Sequence, residues 1–346
     1  MALKKSTSAK SLRISVIVPA YEAAHYLLKS LPPLIELREA GLVDDVVVVD
    51  DCSPNSFTRD TAEELGATVI CASENGGPGA ARNLAASTST SDLLWFVDAD
   101  VVVHPNAVKR ISGAFSDDNI HALFGSYDDN PPAPGFASQY KNLLHRYYHS
   151  RSDGQASTFW SGCGVVRREQ FLSLGGFDTE QFKKPSVEDI ELGYRIRAAG
   201  GLILLDPAFL CTHLKEWSLK EVVMTDVLKR AAPWSKLLAT SPKIENNLNI
   251  SVDERIRAGI AGLWALSMLV AMTGLFWPVS FYAFGLLTTT VVISNWELLM
   301  YFSVRRGFLF GLAALAFHQV YYIYSAATFS LVTLRHRFLA KPTVTT

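Results

Sequence analysis

Short apolar runs alternate with helical patterns over the first hundred residues. The runs predict buried strands at Ile14–Val18, Asp45–Val49, Thr68–Ala72 and Leu93–Val97. The intervening patterns predict helices over Glu22–Ala40, interrupted early by Pro32-Pro33, over Thr58–Leu65, and from the loop Asn75–Gly79 through Ala86. Such alternation predicts an α/β fold, a Rossmann-like and mainly parallel sheet with helices on both faces.

A different pattern fills the last part of the chain. Ala258–Trp296 and Gly307–Leu334 contain no charged residue, and about 20 apolar residues suffice for one spanning helix. We therefore predict an integral membrane protein with about three transmembrane segments, 258–276, 278–296 and 308–334, the first two divided near Trp277-Pro278. Before them, Trp217–Ala239 has apolar residues at helical spacing among lysines and arginines, which is typical of a surface helix or of an interfacial one.

The basic residues bear on topology. Met1–Arg13 is basic and leads only into a short apolar run, so we expect no signal peptide and a catalytic domain on the cytoplasmic face of a bacterial or archaeal inner membrane. Arg305 and Arg306 favour a cytoplasmic loop after the second segment, whereas Arg335, Arg337 and Lys341 would then be exported by a third span. One segment is therefore expected to be re-entrant or interfacial.

Composition excludes some classes of protein. The 346 residues carry a formal net charge of −1, and we expect no nucleic-acid partner. The four cysteines, Cys52, Cys71, Cys163 and Cys211, lack metal-site and disulfide spacing, so reduced thiols are expected. The oligomeric state stays open.

Acidic residues follow several of the predicted strands. Asp98-Ala99-Asp100 ends the fourth strand, and Asp50-Asp51 ends the second. Ligands of such sheets bind beyond the carboxyl ends of the strands, and carboxylate oxygens suit Mg²⁺ or Mn²⁺ bridging a diphosphate. Paired acids at these places are also common turn formers and helix caps.

Four motifs in register resemble the inverting family 2 glycosyltransferases with the GT-A fold. They are Ser15–Tyr21, Val48–Ser53, Asp98–Asp100 and Glu188-Asp189, supported by Gly175–Asp178 and Glu188–Arg195. The resemblance covers about Leu12 to His213. It implies a nucleotide-sugar donor, most simply a UDP-sugar, and direct displacement at the anomeric carbon.

The resemblance also implies roles for individual residues. The implied donor-site residues are Pro19, Ala20, Tyr21, Glu22, Asp50, Asp51, Gly79, Arg82, Asp98, Ala99 and Asp100. The implied metal ligands are Asp98, Asp100 and His213, although a histidine after a strand is equally often a hydrogen-bonded structural residue. Asp189 is the implied general base with Glu188 beside it, and helix capping is the competing explanation. The acceptor side is assigned to Trp160, Gly162, Cys163, Arg230 and Trp234, with a core position as the alternative for Trp160.

These assignments predict a domain order and an acceptor. We expect a basic tail at 1–12, a GT-A domain at 13–213, interfacial helices at 214–257, transmembrane helices at 258–334 and a tail at 335–346. Processive synthases of the family carry Gln-x-x-Arg-Trp, whereas Asp226–Trp234 lacks the glutamine and separates Arg230 from Trp234. The hypothesis is therefore transfer to a lipid-linked acceptor such as polyprenyl phosphate or a glycolipid.

The alternatives are a processive polysaccharide synthase, a sugar-phosphate nucleotidylyltransferase and a non-catalytic nucleotide-binding membrane protein. The second would carry a glycine-rich loop where this chain has Pro19–Glu22. The third would not need Glu188-Asp189 together with Asp98 and Asp100. A transporter is disfavoured because three charge-free segments are too few.

Overall fold

The computed structural model describes residues 12–151, 154–240 and 251–339. They form two compact units. The first comprises the described residues up to Gly125, together with Thr158–Lys184 and Glu188–Cys211. The second comprises the described residues of Ser126–Ser157, Pro185–Val187 and the described chain from Thr212 onward.

The described residues form nine strands, most of them in the first unit. They are β1 Ile14–Ala20, β2 Asp45–Asp50, β3 Thr68–Cys71, β4 Leu93–Val97, β5 Val101–Val103, β6 Ile120–Tyr127, β7 Gln155–Ala156, β8 Cys163–Arg167 and β9 Leu202–His213. The main sheet has the order β3-β2-β1-β4-β8-β6-β9-β5. Strands β3, β2, β1 and β4 pair in parallel, and β8 runs antiparallel to both β4 and β6. The predicted α/β fold with a mainly parallel sheet is confirmed.

The centre of the sheet is apolar because it is covered on both faces. All seven residues of β1 and all five of β4 are buried, as expected for parallel strands enclosed by helices. Each of these two strands is followed directly by polar residues of the candidate site. The rigid core of the unit therefore sets the position of that site.

The helices occur in both units. They are α1 Ala24–Glu39, α2 Phe57–Glu64, α3 Gly77–Thr88, α4 Ala107–Ala114, α5 Phe136–Ser150, α6 Arg168–Ser173, α7 Glu188–Ala198, α8 Leu219–Met224, α9 Ala232–Thr240, α10 Val252–Met272, α11 Val279–Ser294, α12 Trp296–Arg306 and α13 Phe308–Leu339. A π-helical segment, Thr225–Ala231, joins α8 to α9. The predicted helical pattern over Trp217–Ala239 is therefore present, with a π-helix that the pattern did not reveal.

The predicted interruption of α1 at Pro32 and Pro33 is wrong, because the helix continues through both residues. Each proline removes one backbone donor that would otherwise bind a carbonyl one turn earlier. Those carbonyls belong to Leu28 and Lys29, which are exposed and can be hydrated. Leu27, Leu31 and Leu34 on the other face are fully buried, so core packing holds the helix together.

The second unit is helical and apolar. Two of its helices, Val252–Met272 and Phe308–Phe338, are long and apolar enough to cross a membrane. A third crossing is available if α11 and α12, which meet at a bend of 66°, form one broken span. The number of crossings and the predicted segment boundaries stay predictions.

Buried side chains tie these helices together. Tyr140 and Leu144 of α5 pack in one cluster with Phe302 of α12 and Leu315 of α13. Glu254 of α10 accepts hydrogen bonds from the hydroxyl groups of Tyr148, at 2.9 Å, and Tyr322, at 2.6 Å. Arg257 also donates to this carboxylate, so the buried acid is compensated.

Candidate functional site

The carboxyl ends of β2, β1 and β4 meet at one edge of the sheet in the first unit. Because these strands are parallel neighbours, the residues that follow them lie at that same edge. Pro19 and Ala20 end β1, and Asp50 ends β2 beside Ala20. Asp98, Ala99 and Asp100 follow β4. The acidic motifs predicted from the sequence are therefore brought to a common edge.

The loops after β1 and β2 are held by the Asp50 carboxylate. Ser53 donates to Asp50 through its backbone N–H, at 3.1 Å, and through its hydroxyl, at 2.5 Å. The same hydroxyl accepts from the backbone N–H of Glu22, a residue with the positive φ of 49°. Tyr21 is 47% exposed, which leaves its ring available to a ligand.

The Asp51 carboxylate anchors the glycine-rich loop that begins α3. It accepts backbone N–H groups of Gly76, at 3.0 Å, and Gly77, at 2.8 Å. Burial raises the pKa of Asp51, the negative charge of Asp50 raises it further, and the two hydrogen bonds oppose these effects. Gly77 has a φ of 83°, which a residue with a side chain rarely adopts. The loop before α3 is therefore fixed by Asp51, the acid that follows β2.

Arg82 occupies the centre of the site. Its side chain is only 3% exposed, and it forms an ion pair of 2.5 Å with Asp98 and one of 3.7 Å with Glu188. The guanidinium carbon also lies 5.5 Å from the centre of the Phe177 ring. Gly79, one turn earlier on α3, is packed against both Phe177 and Glu188. The role of Arg82 in donor binding stays a prediction, because its partners here are carboxylates.

The charges of Asp100 and Asp189 both act on Asp98 at this edge. Burial raises the pKa of Asp98, and the charges of Asp100 and Asp189 raise it further, whereas the charge and hydrogen bond of Arg82 oppose the rise. The side chain of Asp98 remains 36% exposed. The site therefore carries an excess of negative charge that Arg82 only partly neutralises.

The carboxylate of Asp189 is oriented by backbone groups at the start of α7. One oxygen accepts the backbone N–H of Ser161, at 3.2 Å, and lies 3.4 Å from the Ser161 hydroxyl. The other accepts the N–H of Ile190, at 2.8 Å. Both oxygens thus have fixed donors, and the carboxyl group is held beside the turn that precedes β8.

That turn contains the residues assigned to the acceptor side. The ring of Trp160 covers Gly162, where a Cβ atom would lie 2.6 Å from the indole. The carbonyl of Gly162 accepts the backbone N–H of Asp98, and Cys163 begins β8 opposite Val97. Trp160, Gly162 and Cys163 therefore lie directly beside the acidic end of β4.

The remaining predicted residues belong to the second unit. His213 ends β9, and its ring stacks on Tyr127 with centroids 4.4 Å apart. Arg230 lies on the π-helical segment and is exposed, and Trp234 lies on α9. The structure does not test the assignment of His213 to the metal or of Arg230 and Trp234 to the acceptor, and both stay predictions.

A divalent cation fits the donor set of the first unit. Asp98 and Asp100 supply hard oxygen ligands of the kind that Mg²⁺ and Mn²⁺ prefer. The mutual repulsion of the carboxylates would be relieved by a cation. Within the ranges that the structure describes, no three His, Cys, Asp or Glu side chains are already arranged around a common metal position, so bound groups or rearrangement would complete the coordination.

Sequence reasoning assigned no individual role to three contributors to this site, although Ser161 lies between two residues assigned to the acceptor side. Ser161 orients Asp189, and Phe177 stacks against Arg82. Asn83 exchanges two hydrogen bonds with the backbone of Phe177, at 2.8 and 2.9 Å. For Phe177 and Asn83, the sequence signal was the Gly175–Asp178 motif, whose tight turn brings Phe177 back toward α3.

Comparisons with known proteins agree with this fold. Residues 15–174 match the family model of glycosyl transferase family 2. The pre-mycofactocin glycosyltransferase of Mycobacterium tuberculosis is 27% identical over 226 residues, 59% of this chain and 44% of that protein. An uncharacterized glycosyltransferase of Haemophilus influenzae is 25% identical over 178 residues, 48% of this chain and 56% of that one. The matches therefore span about half the length of these relatives.

A solved structure extends the similarity to most of the chain. The mannosyltransferase PcManGT from Pyrobaculum calidifontis, solved in complex with GDP-Man and Mn²⁺, superposes with a TM-score of 0.58. The match has 19% sequence identity and covers 90% of this chain and 87% of that one. At this identity the likeness establishes the fold. Residues 15–174 match the family 2 glycosyltransferase model, and the chain therefore has the GT-A fold.

Proposed function

We propose that this protein transfers a sugar from a nucleotide sugar to a lipid-linked acceptor, with inversion at the anomeric carbon. The observation that carries the proposal is the convergence of Asp98, Asp100 and Asp189 at the carboxyl edge of the sheet, where Asp98 and Asp189 bind neighbouring backbone groups of the turn before β8 and the charges of Asp100 and Asp189 act on Asp98. Such a set can hold a cation for the diphosphate leaving group and supply a general base at the same place. The family match supports sugar transfer as the reaction.

The donor is bound by the loops after β1 and β2 and by the start of α3. Asp50 is proposed to accept an N–H of the base, and the exposed Tyr21 to contact the base or ribose. The start of α3 favours an anion, and the hydrogen bonds of Gly76 and Gly77 to Asp51 fix the loop that leads into this helix. A UDP-sugar is our first choice of donor. The GDP-Man bound to PcManGT supports the wider class of nucleotide sugars.

Asp98 and Asp100 are proposed to hold Mg²⁺ or Mn²⁺. The Mn²⁺ in the PcManGT complex supports a divalent cofactor. When bound, the ion would neutralise charge on the departing diphosphate. Arg82 contributes a positive charge of its own behind Asp98, and its burial keeps that charge fixed in position.

Asp189 is proposed to act as the general base for a hydroxyl acceptor. The acceptor oxygen forms a bond to the anomeric carbon as the bond to the nucleotide diphosphate breaks, and the hydroxyl proton passes to Asp189. The N–H groups of Ser161 and Ile190 hold the carboxylate in one orientation, which favours proton transfer. Attack from the face opposite the leaving group inverts the configuration. A phosphate acceptor is already ionised at neutral pH and would not need this base.

A membrane lipid is proposed as the carrier of the acceptor. Two helices with the length and hydropathy of spanning segments support an integral membrane protein. The cytoplasmic face is our proposed location for the catalytic domain, on the basis of the basic residues Arg305 and Arg306. The departure of Asp226–Trp234 from the polymerase signature supports the transfer of one or a few sugars. A polyprenyl phosphate or a glycolipid satisfies both arguments.

The test uses the full chain in detergent with a membrane lipid extract and a panel of radiolabelled UDP- and GDP-sugars. We expect one donor to label the organic phase when Mn²⁺ is present, and EDTA to remove the label. The Asp100→Ala variant, prepared in parallel, controls for contaminating transferases, because it lacks a proposed metal ligand whichever acceptor is used. Label confined to the aqueous phase with every donor would contradict the lipid acceptor.

A further inference from the structure

The second unit gathers three histidines around one tyrosine. His145 and His149 are one turn apart on α5, and their rings lie 3.8 Å apart. The ring of Tyr127 lies 4.3 Å from His145 and 4.4 Å from His213, on which it stacks at 8°. The imidazole groups of two distant segments are thus joined in a single column of rings.

Two cationic side chains, Lys141 and Arg230, act on this column. Lys141, one turn before His145 on α5, forms an ion pair with Asp226. The second oxygen of Asp226 accepts the hydroxyl of Tyr324, at 2.8 Å. Burial lowers the pKa of His145 well below its ordinary value, and the positive charges of Arg230 and Lys141 lower it further, as do the neighbouring histidines.

The acids of this region are buried and already engaged, whereas Arg230 is exposed. Asp226 is only 4% exposed and is engaged by Lys141 and Tyr324. Asp128, also buried, accepts the hydroxyl of Thr212. Since Arg230 lowers the pKa of Lys141 as well as that of His145, its charge reaches both residues. Arg230 is therefore the exposed cation of this group, whereas Lys141 is paired with Asp226.

The π-helical segment is an independent indication of function. Thr225–Ala231 forms seven consecutive π-helical residues, and π-helical turns are rare and are frequently found at functional sites. The segment contains both Asp226, which fixes Lys141, and Arg230, which is exposed. Within this segment Asp226 is therefore buried and paired, whereas Arg230 is exposed and can contact a ligand.

The side chains of the cluster favour an anion over a cation as the ligand. Three histidines could suggest a metal, but within the described ranges no such group has the geometry of a metal site, and the exposed Arg230 would repel a metal cation. An anion is attracted by the same charge. Phosphate accepts charge-assisted hydrogen bonds from guanidinium and from imidazole N–H groups.

We propose that Arg230 and His145 bind the phosphate group of the lipid-linked acceptor, with the ion pair of Lys141 and Asp226 holding the π-helical segment against α5. This assignment rests on the proposed function for the identity of the acceptor. Neither Lys141 nor His145 was singled out by the sequence motifs. The acceptor would be selected by the phosphate that links its lipid to its head group.

The test measures binding rather than turnover. The full chain in detergent micelles is immobilised and titrated with radiolabelled geranylgeranyl phosphate or geranylgeraniol, without any nucleotide sugar. We expect the wild-type protein to prefer the phosphate at least about tenfold. Arg230→Gln and His145→Gln should each remove most of that preference and leave the binding of the alcohol unchanged.

Lys229→Gln is the matched control, because it removes an equal charge from the adjacent exposed residue of the same π-helical segment. It should bind the phosphate as the wild-type protein does. Equal binding of both probes by the wild-type protein, or equal phosphate binding by all variants, would overturn the inference. A loss of affinity confined to UDP and GDP in Arg230→Gln would also overturn it, because the site would then serve the donor.

The binding assay separates this inference from the proposed function. Selective phosphate binding without sugar transfer to any lipid would sustain the site and contradict the proposed reaction. Transfer to lipid with no selective binding would sustain the reaction and remove the site.

Discussion

The guanidinium group of Arg82 lies between two carboxylates, 2.5 Å from Asp98 and 3.7 Å from Glu188. Asp98 is a proposed metal ligand, and Glu188 is the neighbour of the proposed base, Asp189. A buried arginine can contact two acids through its planar fork, whereas lysine presents a single point charge. Arg82 therefore connects the donor end of the site to α7.

Replacing Arg82 with lysine tests this connection. Arg82→Lys should lower the free energy of unfolding by about 2 kcal/mol, a value below the usual cost of breaking a buried pair because Asp98 is partly exposed. The measurement is the melting temperature of the full chain in detergent. Arg59→Lys is the matched control, since Arg59 pairs with Asp60 at the surface. Equal melting temperatures for the two variants would show that the buried pairing is not needed.

Metal binding should stabilise the protein through Asp98 and Asp100. With Mn²⁺ at about one hundred times its Kd, the wild-type protein should gain about 2.7 kcal/mol, seen as a higher melting temperature. Asp100→Ala should abolish this gain. Asp118→Ala, which removes a fully exposed acid of the same unit, should retain it. Unchanged stabilisation by Mn²⁺ in Asp100→Ala would remove Asp100 from the metal site.

The Asp189→Asn variant should separate binding from chemistry. The amide has nearly the shape of the carboxylate but cannot take the acceptor proton, so we expect kcat to fall at least about 100-fold with a hydroxyl acceptor. The Kd of the nucleotide, measured by titration, should not change. Glu180→Gln, an exposed acid outside the site, controls for the loss of one charge. Comparable turnover in Asp189→Asn would assign the base elsewhere or indicate an ionised phosphate acceptor.

How well the sequence predicts an element of this fold depends on how far apart in the sequence its interacting residues lie. Strands such as Leu93–Val97 were predictable because burial on both faces produces a continuous apolar run. The acidic residues at their ends were then brought together by parallel pairing, which the alternation of elements implied. Strand β8 was not predicted, because its antiparallel pairing with β4 follows no local pattern.

The same reasoning explains what was missed in the site. The contact of Arg82 with Glu188 joins helices that are distant in sequence, and the orientation of Asp189 by Ser161 uses a backbone N–H that no motif encodes. The continuity of α1 through Pro32 and Pro33 depends on the burial of its opposite face. The π-helical segment at Thr225–Ala231 has no known compositional signature.

Gly162 should not tolerate a side chain. A Cβ atom there would lie 2.6 Å from the indole of Trp160, so Gly162→Ala should cost about 1 to 3 kcal/mol of stability or displace the ring. The Trp160→Leu and Gly162→Ala double variant should recover part of that cost, as measured by a thermal double-mutant cycle. Gly113→Ala is the control, because a Cβ atom at Gly113 meets nothing within 4 Å. Additive effects of the two changes would refute the packing of Trp160 on Gly162.

The pH dependence of stability should report the buried Asp51. Its pKa is raised above the ordinary value of 3.8, chiefly by burial, so the folded state binds a proton more tightly than the unfolded state. This contribution to stability is fully present below the ordinary value and is lost as pH rises through the raised pKa. The melting temperature of the wild-type protein minus that of Asp51→Asn should therefore fall as pH increases from about 4 toward neutrality. A difference that grows over this range would mean that the hydrogen bonds from Gly76 and Gly77 outweigh burial, with the pKa lowered instead.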